Sequence, residues 1–143
     1  MESLMEKKLL IVDDDAMSRY LAPDIFPAPE YTIYIADGLK EAMTILRKDP
    51  EIAVVVSDLK MEDSSDGLQL LAQMRKNGHT QRFILDTSFP DIPDGSRDLY
   101  EELRSEIFAA HFLAISEEEV RQSVIRAFET LEAPQARKLA IPA

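Results

Sequence analysis

Short runs of apolar, largely β-branched residues alternate along the chain with longer stretches in which apolar positions recur every three or four residues. The runs predict strands at Lys8 to Asp13, Tyr31 to Ala36, Ala53 to Asp58, Arg82 to Ser88 and His111 to Ile115. Between them, Leu39, Ala42, Met43 and Leu46 fall at i, i+3, i+4 and i+7, which places one apolar stripe on a helix, and Leu68, Leu71 and Met74 repeat the pattern. The last helix opens on a capping box, Ser116-Glu117-Glu118-Glu119, and buries Val120, Val124, Phe128 and Leu131. Pro23 is expected to interrupt the first helix, with the region up to Pro29 breaking or re-forming as a short turn.

Five strands, each followed by a helix, predict buried parallel strands with helices on both faces. Right-handed crossovers make a doubly wound α/β sheet the economical topology. Ligands of such sheets sit beyond the carboxyl ends of the strands, where strand order reverses. Two of the predicted strands run into acid at that end: Leu9-Leu10-Ile11-Val12 into Asp13-Asp14-Asp15, and Ala53-Val54-Val55-Val56-Ser57 into Asp58. Neighbouring strands bring these carboxylates to one sheet edge, a setting for a divalent cation.

Composition narrows the picture. A chain of 143 residues with 45% hydrophobic content builds a core without a second domain, here taken as residues 7–132 with a short tail at 133–143. The absence of cysteine excludes disulfides and thiolate metal sites. There is neither a long apolar span nor a signal-peptide start, so a cytoplasmic protein is expected. A net charge of -11 has the wrong sign for binding phosphate backbones and favours protein or small cationic partners over nucleic acid.

Four landmarks in order carry a resemblance: Lys8 to Asp15, then Asp58-Leu59-Lys60-Met61, then Asp66-Gly67-Leu68, then Leu85-Asp86-Thr87-Ser88. From about Lys7 to Glu132 the chain resembles the receiver domain of two-component response regulators. The resemblance implies a flavodoxin-like five-stranded sheet of order 2-1-3-4-5 and a non-enzymatic signalling role. It makes Asp58 the phosphoryl-accepting aspartate, Asp13 and Asp14 the acidic pair that holds Mg2+, the backbone carbonyl of Lys60 a further metal ligand, and Thr87 the hydroxyl switch. The implied phosphodonor is a sensor histidine kinase or histidine phosphotransfer protein. With too few residues after Leu131 for an output module, a stand-alone receiver is expected. Its output would be a protein partner or a homodimer formed through helix 4, strand 5 and helix 5, including Tyr100, Leu103 and Phe112. The chemistry is coherent: a carboxylate is a weak nucleophile toward an already anionic group, and an oxygen-ligated cation removes that repulsion.

Three departures from the family pattern stand out. No lysine occupies the stretch His111 to Ser116, where the family has a lysine followed by proline; Ala114 is the corresponding position, and loss of one donor to a developing anion costs on the order of 3 kcal/mol. Glu62 stands in place of the usual proline after Met61, and Asp63-Ser64-Ser65 lengthen the loop by one residue, a change expected to make it more mobile. Asp86 places a carboxylate inside a strand expected to be buried, so either it has a partner or the register differs.

The plainer readings are also specific. Asp15 and Asp66 suit helix caps, Glu117 to Glu119 suit the positive end of a helix dipole, and His79 and His111 suit structural roles. Phe112 suits either the family's aromatic switch or the core, with His111 as the other candidate for the switch position. Two other functional classes compete with the active receiver. One is a phosphorylation-independent pseudo-receiver that serves as an interaction module, supported by the missing lysine. The other is a phosphohydrolase of the haloacid dehalogenase type reading Asp13-x-Asp15, which lacks a hydroxyl residue at Met17.

Overall fold

The structure, a computed structural model, describes residues 6–63, 66–113 and 117–140, with side chains described as far as residue 131. The elements run β1 (Lys7–Val12), α1 (Ala16–Ile25), β2 (Tyr31–Ala36), α2 (Leu39–Lys48), β3 (Val54–Ser57), α3 (Asp66–Lys76), β4 (Arg82–Asp86), α4 (Arg97–Leu103), β5 (Ile107–His111) and α5 (Glu117–Ala140). The five strands form one parallel sheet of order β2-β1-β3-β4-β5. The step from β1 outward in both directions creates the order reversal beyond which a ligand site is expected.

Period-two alternation divides the core between the two sheet faces. Leu10, Val12, Val55, Phe83 and Leu85 join Ala42, Met43, Leu46, Leu68, Leu71 and Met74 beneath α2 and α3, with Leu99, Tyr100 and Leu103 of α4 packed alongside. Leu9, Ile11, Val54, Val56 and Ile84 meet Ala22, Val120, Val124 and Phe128 beneath α1 and α5. The predicted helical stripes are thus the buried stripes. At the amino end of the sheet, the Lys8 ammonium bonds Asp49 at 2.9 Å and Glu51 at 3.2 Å, and the Tyr34 hydroxyl donates to the same Asp49 carboxylate. These donors hold the Asp49 carboxyl down at about 2.

Two expectations are corrected. The last strand lies at Ile107–His111, not at His111 to Ile115. Both runs are apolar, but β4 ends at Asp86, and its residues from Phe83 to Asp86 pair with the run from Ile107 to His111. The register slips once, between Phe83 and Ile84, where the edge strand adjusts to β4. Pro23 does not break the first helix, which continues through it to Ile25. The proline stands near the helix end and forfeits only the bond to the Arg19 carbonyl, while buried Ala22 and Phe26 anchor its flanks. Toward the carboxyl end, α5 continues to Ala140, so the expected tail from residue 133 is helical up to there.

Candidate functional site

Main-chain bonds fix the acidic edge before any side chain contributes. Beyond β1, the Asp13 N–H donates to the Ala36 carbonyl at 3.0 Å, and beyond β3 the Asp58 N–H donates to the Val12 carbonyl at 3.0 Å. Both aspartates therefore continue the parallel ladder by one residue and emerge side by side. Asp13, Asp14 and Asp58 each place a carboxylate oxygen within 4.8 Å of the others, with Asp14 exposed and the other two half-buried. This is a small oxygen-rich group of the size a divalent cation requires.

The surrounding groups hold the cluster in shape. Asp13 Oδ1 accepts from the Asp15 N–H at 2.9 Å, and Asp15 caps α1 by accepting from the Ser18 N–H at 2.9 Å, the role expected of it. Arg19 donates to the Asp13 backbone carbonyl at 2.9 Å, leaving the Asp13 carboxylate to the cluster. One oxygen of Asp58, Oδ1, accepts from the Leu59 N–H at 2.7 Å. Beneath it, a Cβ built on Gly67 would stand 2.3 Å from the Asp58 carbonyl oxygen, so the start of α3 approaches the Asp58 peptide as only glycine permits. The Gly67 N–H donates to the Leu59 carbonyl at 2.8 Å in the same contact. Asp66, at the first position of α3, accepts from the Asp63 N–H at 2.8 Å and ties down the loop; Ser64 and Ser65, which the longer-loop expectation concerns, lie outside the described residues.

Burial and like charge dominate the electrostatics. Burial first, then the Asp13 carboxylate, push the Asp58 carboxyl up to about 7, against the opposing Leu59 hydrogen bond. Asp13 is raised by burial, with its hydrogen-bond donors pulling the other way. Asp86 is pushed up to about 6 by burial and by the Asp13 charge. It sits at the end of β4, in the expected register, and among the described residues its Oδ1 is sealed from solvent with no hydrogen-bond partner. Asp13, Asp58 and Asp86 line one cavity of about 200 Å³ whose other walls include Ile11, Val56, Met17 and Val120. The sequence reading treated Asp86 as an anomaly, although it ends an apolar run as Asp13 and Asp58 do.

The other expected residues do not line this cavity. Thr87 is 2% exposed; its N–H donates to the His111 carbonyl at 2.9 Å and its hydroxyl accepts from the Phe89 N–H at 3.2 Å. The Lys60 ammonium lies over the Phe89 ring, 5.9 Å from its centroid. His111 faces α5, where its Nε2 meets the Ser123 hydroxyl at 2.7 Å, and Arg126 donates to that hydroxyl at 3.1 Å. Burial lowers the His111 pKa. Phe112 instead joins the cluster containing Leu99, Tyr100 and Leu103, which separates the two candidates for the aromatic position. Ala114, the position corresponding to the family lysine, and Ser116 of the capping box lie outside the described residues.

A five-stranded parallel sheet of order 2-1-3-4-5 with an acidic cluster beyond β1 and β3 is the arrangement of a receiver. Residues 9–104 match the family model described as the response regulator receiver domain, and the chain belongs to that family. It is 33% identical over 86 residues to the transcriptional regulatory protein GlrR of Escherichia coli, a match covering 60% of this chain and 19% of that protein. It is also similar to sporulation initiation phosphotransferase F of Bacillus subtilis, 29% identical over 90 residues, covering 62% of this chain and 70% of that protein. The match thus spans about a fifth of the transcriptional regulator's length. Among solved structures, the signal receiver domain of an HD domain-containing protein from Pseudomonas fluorescens superimposes with a TM-score of 0.75 at 21% identity, covering 90% of this chain and 98% of that one. A receiver domain protein from Clostridium thermocellum gives 0.70 at 18% identity, with 94% and 99% covered. At these identities the structures attest the fold. Membership of the receiver family displaces the phosphohydrolase reading. Among the described residues no helix is long and apolar enough to cross a membrane.

Proposed function

We propose that this receiver accepts a phosphoryl group on Asp58, with Mg2+ held by Asp13, Asp14, Asp58 and the backbone carbonyl of Lys60. The observation that carries the reading is the convergence of three carboxylate oxygens within 4.8 Å at the order-reversal edge of a receiver sheet. Their donor set is all oxygen, which suits a hard cation. When bound, the cation supplies positive charge that keeps Asp58 ionised and offsets the charge of the incoming phosphoryl group. Asp58 Oδ1 is engaged by the Leu59 N–H, so Oδ2 is the attacking atom. From a phosphohistidine donor, the new O–P bond forms as the P–N bond breaks. The electron pair stays on the imidazole nitrogen, which then takes a proton.

The donor in this proposal is a sensor histidine kinase or histidine phosphotransfer protein, and the setting is the cytoplasm. Thr87 turns its hydroxyl from the Phe89 N–H toward the phosphoryl oxygens. That move carries the change to the face of α4, β5 and α5, where a partner protein or second copy of the chain binds. Treatment with phosphoramidate and Mg2+ followed by intact mass analysis tests the acceptor. One phosphoryl adduct is expected on the parent chain and none on Asp58→Asn; an adduct on the variant overturns the assignment. The pseudo-receiver reading is favoured by the absence of lysine between Ile107 and Ser116, and a parent chain that takes no adduct supports it.

A further inference from the structure

The reading above leaves Asp86 without a task, and its position is specific. Parallel pairing sets Ser57 against Leu85, so Asp58 and Asp86 are the next residues on adjacent strands, both at the edge where Asp13 emerges. The cavity they share has apolar walls from Ile11, Val56 and Val120. Across the strands Asp86 is set against His111, but the His111 Nε2 is engaged with Ser123. Among the described residues Asp86 Oδ1 is therefore buried without a hydrogen-bond partner, an arrangement that costs stability wherever nothing cationic occupies the cavity. Asp86 does not join the three aspartates whose oxygens lie within 4.8 Å of one another, so it stands outside the ligand set.

We propose that Asp86 is a positioning residue of the cation site, a fourth carboxylate that tightens divalent-cation binding through its charge rather than by ligation. The inference rests on the reading that Asp13, Asp14 and Asp58 hold the cation. The apolar side chains of Ile11, Val56 and Val120 in the shared cavity lessen the screening of Asp86, so part of its field reaches the cation site. With a divalent cation in place the four carboxylates still leave a formal excess of two negative charges. The site is therefore biased toward holding metal and against further anionic charge.

Calorimetric titration of the full chain with magnesium chloride tests this, with Asp86→Asn, Asp86→Val, Asp86→Glu and Asp14→Ala compared with the parent. Removing one charge beside a divalent cation is expected to weaken binding about tenfold in Asp86→Asn and Asp86→Val, with Asp86→Glu restoring it to within about threefold. Valine suits a buried strand position and carries the test should the asparagine variant fail to fold. If both neutral variants bind Mg2+ as the parent does while Asp14→Ala loses it, the role of Asp86 falls and the three-aspartate site stands. A parent chain that binds no Mg2+ overturns both.

Discussion

Gly67 stands against Asp58 so closely that a methyl group on it would lie 2.3 Å from the Asp58 carbonyl oxygen and 2.9 Å from the Leu59 Cα. Both obstacles are backbone, so neither can swing aside. Gly67→Ala is expected to push α3 away from the loop after β3, costing about 1–3 kcal/mol and weakening Mg2+ binding. Urea denaturation checks the first effect and calorimetry the second; an unchanged midpoint with unchanged affinity would show that the contact relaxes freely.

Acidification should stabilise the protein in the absence of divalent cations. The folded-state carboxyls of Asp58 and Asp86 stand at about 7 and about 6, above the ordinary 3.8. Below that ordinary value both states are protonated and nothing is lost. As pH rises from about 4 to 7, the unfolded chain ionises first. The resulting destabilisation grows over that window and levels off above it, reaching on the order of 1–2 kcal/mol for Asp58 after solvent screening of this half-exposed group. Thermal unfolding between pH 5 and 8 should therefore give a falling midpoint in the parent, a flatter profile in Asp58→Asn, and a smaller fall when Mg2+ is added.

His111 should behave in the opposite sense. Burial lowers its pKa below 6.5, so the imidazole stays neutral in the fold. The unfolded chain takes up the proton first, and stability is lost as pH falls from 6.5 through the folded value. The Ser123 hydroxyl is shared between His111 Nε2 and the Arg126 guanidinium, which donates to its oxygen. Ser123→Ala removes that partner at a fully buried position and is expected to cost about 1–2 kcal/mol. Imidazole resonances followed by NMR give the titration directly.

Thr87 is expected to serve both stability and response. Thr87→Ala removes the acceptor of the Phe89 N–H, at a cost of about 1 kcal/mol. Thr87→Ser keeps it. Under the proposed function, amide exchange with beryllofluoride and Mg2+ should change between Phe89 and Gly95 and across α4 and β5 in the parent and in Thr87→Ser, and not in Thr87→Ala. Changes confined to the first two helices would remove the proposed output face.

The legible part of this chain was what periodicity and strand-end chemistry encode. Leu39, Ala42, Met43 and Leu46 placed α2, and the acids after Val12 and Ser57 marked the edge where Asp13 and Asp58 meet. Strand β5 was misplaced because Ile107 to Ala110 and Phe112 to Ile115 are equally apolar. Only the partner strand decides between them, and pairing with Phe83 to Asp86 is a property of the sheet rather than of either run. The continuation of α1 through Pro23 is not legible locally, because the cost of a proline says nothing of buried neighbours such as Ala22 and Phe26. The reason for glycine at 67 is likewise tertiary, since it depends on the backbone of Asp58.

The sheet ends at β5, which has β4 as its sole hydrogen-bonded neighbour. The bond from Thr87 to the His111 carbonyl extends that pairing past the strand ends, beyond the single register shift between Phe83 and Ile84. Under the proposed function, a displacement of Thr87 would therefore reach β5 directly through the His111 carbonyl, at the edge of the sheet opposite β2.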